Sequence, residues 1–399
     1  MAEPLSAMQQ AFWLGEMLSG DGGARATLVF GLDLDGPLDV ERLDGALSAV
    51  VRRHPLLRAR IAADREGLSL AVEEPPATIL TRLPGGEDAL ERWCARPVSA
   101  RAWPPCRAAV ALGEDGARLR VAVQHAVFDG HSKDVFLRDL ARAYDERADR
   151  PPAPRDAAFW RAFLRREGVL AAPAPASPAA PPRASGAPPE SLAFAIEPGL
   201  RALVAEAAGR LGVSKFTVQL AALHAVLARL RLDDADVVTP IALSTRTPAE
   251  ADEIGPFVNQ LPVRSTAACA GSFRALADEL GRRVRELASD RHRRPTPALP
   301  GGGGPEVAVS YRRDALGRLA WPDGTATPVR LPPLHAPGSD AAIRMLDHGA
   351  SASGAIDVDR DALPSGWGRR LERCWLTLLR TAAQRLDARV GELPLEERR

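Results

Sequence analysis

Between Val169 and Glu190 the chain is mostly alanine, proline, serine and glycine, with almost no large apolar side chain. A stretch like this has little to bury and is expected to run as an extended linker. It divides the 399 residues into a first part, 1–168, and a second, 191–399, each long enough to bury a core of its own. In the first part, residues 6–16 read as a helix with Ser6 as a candidate N-cap, 27–32 as a strand, and 40–51 as a helix whose Leu43, Ala46, Leu47 and Val50 share a face. Residues 68–72 and 107–112 read as strands, and Ser132 as the cap of a helix through Tyr144. In the second part, 200–211 and 215–230 read as helices, the latter apolar nearly all round and therefore buried. Strands follow at 237–242 and 306–311, with amphipathic helices at 272–288 and 367–386. Strands interleaved with helices on both sides of the linker predict two similar α/β units, each built on a mixed sheet.

Residues 117–124 alternate Leu119, Val121 and Val123 with Arg118, Arg120, Ala122 and Gln124, the period of a half-buried strand. His125 continues the inward series where the strand ends, and Gln124 points to the other face. Asp129 and Gly130 follow within a few residues. An inward histidine beside a carboxylate and a glycine turn is a candidate general base. A core histidine satisfied by a nearby carboxylate gives the same short pattern, so the segment alone leaves both readings open.

Composition narrows the classes. A hydrophobic share of 46% and a charged share of 26% are those of a soluble globular protein. The net charge of +1 gives no reason to expect a nucleic-acid or anionic-membrane partner. Cys94, Cys106, Cys269 and Cys374 are far apart, with no Cys-x-x-Cys pair, and read as reduced thiols. No basic region followed by an apolar run opens the chain, and no stretch of 18 apolar residues occurs, so cytoplasm is the default location. The run Gly301-Gly302-Gly303-Gly304 lacks the Lys-Ser/Thr of a phosphate loop. Metal-ligand spacings, G-x-G-x-x-G and G-x-S-x-G are absent as well.

Four motifs in order resemble those of the condensation domains of nonribosomal peptide synthetases, in the chloramphenicol-acetyltransferase-like superfamily. Ser6-Ala7-Met8-Gln9-Gln10-Ala11-Phe12-Trp13 is similar to the family's opening Ser-x-x-Gln-x-x-x-Trp, and Arg53-His54-Pro55-Leu56-Leu57-Arg58 to its Arg-His-x-x-Leu-Arg. Gln124-His125-Ala126-Val127-Phe128-Asp129-Gly130 is similar to the central His-His-x-x-x-Asp-Gly, with Ser132 fitting its continuation. Ile254-Gly255-Pro256-Phe257-Val258-Asn259 is similar to Ile-Gly-x-Phe-Val-Asn, and Thr245-Arg246 sits where the family has an arginine turn. The chain departs from the pattern at Gln124, which replaces the first histidine, at His131, where aromatic residues are frequent, and in the eroded segment Arg291-His292-Arg293-Arg294-Pro295.

The resemblance implies two acetyltransferase-like subdomains in a V-shaped pseudo-dimer with an active-site tunnel between them. It implies an acyltransferase that joins a carrier-protein-bound acyl or peptidyl thioester to an amine or hydroxyl, in nonribosomal peptide or hybrid polyketide biosynthesis. Substrates would arrive on phosphopantetheine arms of donor and acceptor carrier proteins, with no cofactor or metal bound by the chain itself, no nucleic-acid or membrane partner, and a monomer as the family expectation. His125 is placed at the reacting centre. Gly130 would let the backbone approach the substrate and offer a main-chain N–H to the thioester oxyanion. Asp129 is expected to be structural, paired with an arginine, with Arg264 and Arg58 as the candidates; Gln124 and Ser132 would support the loop. Of the other histidines, His54 and His224 read as structural, while His292, His335 and His348 receive no role. Asn259 and Gln260 read as a polar crossing segment, and Arg282, Arg283 and Arg285 as a solvated helix face. Cyclisation domains carry Asp-x-x-x-x-Asp in the central motif, which Gln124 and His125 do not fit, and the extra glutamate motif of epimerisation domains has no match. Two alternatives remain: a free-standing acyltransferase acting on a soluble amine or alcohol, and a carrier-docking module without catalysis. Residues 390–395 resemble the linker leading out of such domains, which favours excision from a longer chain or a recent split.

Overall fold

The computed structural model describes residues 3–20, 22–64, 67–145, 189–230, 236–266, 269–292, 305–313, 316–317, 319–322, 324–331, 333, 339–349 and 351–396. Residues 169–188 of the Ala/Pro-rich stretch, the four-glycine run, Arg293 to Pro295 and His335 lie outside them. In chain order the elements begin with β1 (Glu3–Pro4), α1 (Ala7–Ser19), β2 (Thr27–Asp35), α2 (Val40–Arg53), β3 (Ala59–Asp64) and β4 (Gly67–Val72). They continue with β5 (Leu80–Arg82), α3 (Gly86–Cys94), β6 (Cys106–Leu112), β7 (Gly116–Gln124) and α4 (Gly130–Tyr144). Then come β8 (Glu190–Ile196), α5 (Pro198–Leu211), α6 (Lys215–Leu230), β9 (Val237–Ser244), β10 (Val258–Ser265) and α7 (Phe273–Ser289). The last are β11 (Val307–Arg313), β12 (Leu319–Trp321), β13 (Gly324–Arg330), β14 (Ala341–Asp347), β15 (Ala352–Val358) and α8 (Trp367–Gln384).

Two compact units result, and they are not the two halves of the sequence. The first gathers the described residues of Met1–Gly186, Thr245–Val258 and Ala315–His335; the second holds those of Ala187–Ser244, Asn259–Asp314 and Ala336–Arg399. A single cut at the linker therefore misplaces two stretches. Both have a physical reason to sit in the first unit. β13 extends its sheet by pairing antiparallel with β2, from Thr325 opposite Asp35 to Arg330 opposite Phe30. Ile254 and Phe257 are fully buried in its core.

The first unit is a six-stranded sheet in the order β12-β13-β2-β7-β6-β5, with a small sheet β1-β4-β3 beside it. Phe30, Leu32, Leu119, Val121 and Val123 on one face pack with Leu43 and Leu47 of α2 and Phe136 and Leu140 of α4. On the other, Val29, Ala109, Ala111 and Ala122 pack with Leu90, Trp93 and Cys94 of α3 and with Val98. β7 is thus buried on both faces, where its alternation predicts one wet face. Arg120, on the α3 side, is accommodated by hydrogen bonds to the carbonyls of Leu32 (3.2 Å) and Leu119 (3.0 Å) and by Asp33 at 2.8 Å.

The second unit is a six-stranded sheet in the order β10-β9-β11-β14-β15-β8, parallel between β9, β11 and β14 and antiparallel from β14 through β15 to β8. Helices α5 to α8 share its core. Every residue of α6 from Thr217 to Leu227 is buried, as expected of a helix apolar nearly all round. His224 lies there as a satisfied core histidine, 2.8 Å from Ser265 Oγ through Nδ1 and 2.7 Å from Thr239 Oγ1 through Nε2. Among the described residues no single helix is long and apolar enough to cross a membrane.

Candidate active site

β7 ends at Gln124 and the chain makes one 3-10 turn, His125–Val127, before α4 begins. Gln124 is buried and holds this turn from the α3 side. Its Nε2 donates to the Val98 carbonyl at 2.8 Å, and its Oε1 accepts the Ala126 N–H at 3.4 Å. From the opposite side comes Gln9 of α1, which is fully buried. Its Nε2 donates to the Ala126 carbonyl at 2.9 Å, while its Oε1 accepts the Ser6 N–H at 2.9 Å. Ser6 Oγ accepts the Gln9 N–H at 3.2 Å, closing a capping box. The opening motif is a device for anchoring the turn that carries His125.

Asp129, not Ser132, is the N-cap of α4; its Oδ1 accepts the Ser132 N–H at 2.7 Å. Ser132 stands one turn in. Its Oγ accepts the Gly255 N–H at 3.0 Å, and its single proton serves Asp129 Oδ1 (2.7 Å) or the Gly255 carbonyl (3.0 Å). The arginine on Asp129 is Arg246. Its Nη2 lies 3.3 Å from both carboxylate oxygens, and both side chains are more than 90% buried. Arg246 Nη1 also donates to the carbonyls of Glu250 and Glu253, and its guanidinium lies 4.0 Å over the Phe257 ring. A Cβ on Gly255 would meet Phe257 Cε2 at 2.7 Å, so only glycine fits this approach to Ser132.

Neither sequence-derived partner of Asp129 is correct. Arg264 lies on β10 in the second unit, half-exposed, and pairs with Asp236. Arg58 ends a 3-10 turn and donates to the Glu73 carbonyl. Both have nearer acceptors of their own. The signal for the right residue was the Thr245-Arg246 pair inside the arginine-turn motif.

His125 keeps partial exposure, but its Nδ1 is buried and makes no hydrogen bond of ordinary geometry among the described residues. The ring lies flat on Phe12 of α1, centroids 4.6 Å apart and planes 24° apart. Burial pulls its pKa below that of free histidine; its own main chain and the Asp129 charge oppose this only in part. The resting imidazole is therefore neutral near pH 7. Gly130, the first residue of α4, lies five positions further along the chain and is exposed. His131 reaches the Ala251 carbonyl at 2.9 Å.

The remaining candidates have structural surroundings. His54 is buried at the end of α2, its Nε2 3.0 Å from Asp139 Oδ2, with Arg53 Nε 2.8 Å from the same oxygen. Asn259 Nδ2 donates to the Arg291 carbonyl at 2.9 Å. A cleft of about 370 Å³ lies within the second unit, lined by Ala242, Gln260, Ser310 and Ala342 among others; none of its lining residues comes from the β7–α4 junction. Among the described residues no cluster of three or more His, Cys, Asp or Glu side chains is arranged to hold a metal ion.

The model of the condensation-domain family matches residues 2–294, and the chain belongs to that family. It is 30% identical over 326 residues to phosphinothricin tripeptide synthetase PhsB of Streptomyces viridochromogenes, covering 71% of this chain and 27% of that protein. It is 27% identical over 288 residues to a plipastatin synthase of Bacillus subtilis, covering 66% of this chain and 8% of that protein. The chain thus spans about a quarter or less of the length of these relatives. Solved structures share its fold along nearly the whole chain. The X-domain from teicoplanin biosynthesis, in complex with OxyB, matches with a TM-score of 0.79 at 24% identity, covering 100% of this chain and 97% of that one. The condensation domain of the Monacolin K polyketide synthase MokA matches with a TM-score of 0.80 at 18% identity, covering 98% and 99%. The chain has the two-subdomain α/β fold of condensation domains.

Proposed function

We propose that this chain joins an acyl or peptidyl thioester, delivered on a carrier protein, to an amine or hydroxyl nucleophile, with His125 at the reacting centre. The observation that carries this reading is the state of that imidazole: partly exposed, held neutral by burial, and mounted on a turn fixed from both sides. A neutral imidazole can take the proton of an attacking ammonium or hydroxyl, or orient the nucleophile by hydrogen bonding. Positioning alone supplies a large part of the barrier reduction for a two-substrate aminolysis. Asp129, Ser132, Gln124 and Arg246 hold the loop, and Gly130 is the main-chain group we place nearest the thioester oxygen. Arg264 and Arg58 have no part in it.

The likeness to an X-domain solved with OxyB, together with Gln124 in place of the first motif histidine, supports a second reading: a module that recruits a partner without catalysis. One assay separates the readings. Donor carrier loaded with an acyl thioester is mixed with the chain and a loaded acceptor carrier, then with a soluble amine. Product with the acceptor carrier supports condensation, and product only with the amine supports an acyltransferase using a soluble acceptor. Carrier binding with no product in either arm supports recruitment.

A further inference from the structure

We propose that Phe12 is a positioning residue for His125, setting the plane of the imidazole from α1; its effect on turnover rests on the condensation reading above. A histidine that acts at a reacting centre is commonly held through its second ring nitrogen by a carboxylate or a carbonyl. That device is weak here. Nδ1 of His125 has no hydrogen bond of ordinary geometry among the described residues, main-chain groups of His125 itself and Phe128 act on the ring only enough to oppose part of the effect of burial, and the nearby Asp129 carboxylate is engaged by Ser132 and Arg246. The χ2 torsion of histidine is broad and two-fold, so rotamer preference does not fix the plane either. What remains is packing, and the flat contact with Phe12 supplies it.

The contact is built rather than incidental. Gln9 and Phe12 are three residues apart on α1 and share a face. The Ser6 capping box occupies Gln9 Oε1, which leaves Nε2 for the Ala126 carbonyl and locks α1 to the turn at the residue after His125. One helical step on, the Phe12 ring is delivered onto the imidazole. The same contact keeps water from one face of the ring, which favours the neutral form.

The test uses the full chain with Phe12→Leu, Phe12→Ala and Phe12→Tyr. The leucine variant retains apolar volume but lacks a plane, and the tyrosine variant retains the plane. Titration of the imidazole ring protons by nuclear magnetic resonance, with the His125 signal assigned by its loss in His125→Gln, needs no substrate. In Phe12→Ala the midpoint should move up toward about 6.5 as water reaches the ring. With loaded carriers, Phe12→Leu should lower kcat at least about tenfold with KM within about twofold, and Phe12→Tyr should stay within about threefold of wild type. The proposal fails if His125 titrates identically in folded Phe12→Ala and wild type, or if Phe12→Leu turns over like wild type. A wild type that forms no product removes the condensation reading, and the titration then decides the Phe12 contact alone.

Discussion

At the scale of single residues, the two adjacent motif positions have opposite duties. Gln124 faces the α3 side of β7, where both amide atoms are used on main chain, so it needs hydrogen bonding and not titration. His125 begins the turn and is only partly buried. Restoring the family histidine with Gln124→His should therefore leave turnover within about tenfold, whereas His125→Ala should lose at least about a hundredfold. Steady-state rates with loaded donor and acceptor carriers check both, and a His125→Ala enzyme as fast as wild type would remove the imidazole from the chemistry. The position of His125 at the end of β7 was legible because period two runs along the strand to its last residue, Gln124. The partner of Asp129 was not: a salt bridge between residues 117 positions apart leaves no trace in local spacing.

At the scale of elements, the start of α4 is a latch in which Asp129 caps the helix, Ser132 ties it to Gly255 and Arg246 neutralises the cap. Removing one member of a buried ion pair strands its partner, at a cost of about 3–5 kcal/mol. Arg246→Met should thus lower the urea midpoint of the first unit markedly, while Arg264→Ala, which breaks a half-exposed pair, should cost less than about 1 kcal/mol. Similar midpoints for the two variants would mean that Arg246 does not secure the latch. Helices α1, α2 and α4 to α8 and strands β2, β4, β6, β7, β9 and β11 were readable from the sequence because a covered face imposes a period, whereas the short α3 was not read. The short β12 and β5 and the small-residue β14 and β15 were not, since Ala341, Ala342, Ala352, Gly354 and Ala355 carry too little apolar contrast to signal a strand. The two-faced burial of β7 was hidden for a related reason: Arg120 and Gln124 look wet in sequence but are satisfied beneath α3.

At the scale of the whole molecule, the chain order hides the units, because segments 245–258 and 315–335 return to the first unit through pairing and packing with distant strands. One property is nonetheless shared: His54 and His125 in the first unit and His224 in the second are all held neutral by burial. For His224 burial lowers the pKa to about 3, with a hydroxyl on each ring nitrogen and, among the described residues, no carboxylate that favours the cation. In the unfolded chain the same group titrates near 6.5. Between those values the unfolded state binds the proton and the folded state does not. Stability is therefore fully present above about pH 6.5 and is lost as pH falls toward 3, by about 1.4 kcal/mol for each pH unit per histidine. Amide exchange measured over α6 should accelerate steeply from pH 7 to pH 5 once corrected for the intrinsic exchange rate. His224→Gln removes the titration but keeps hydrogen-bonding capacity toward Ser265 and Thr239, so its local stability should change much less over that interval. An equal acid slope in the variant would move the origin of the acid sensitivity away from His224.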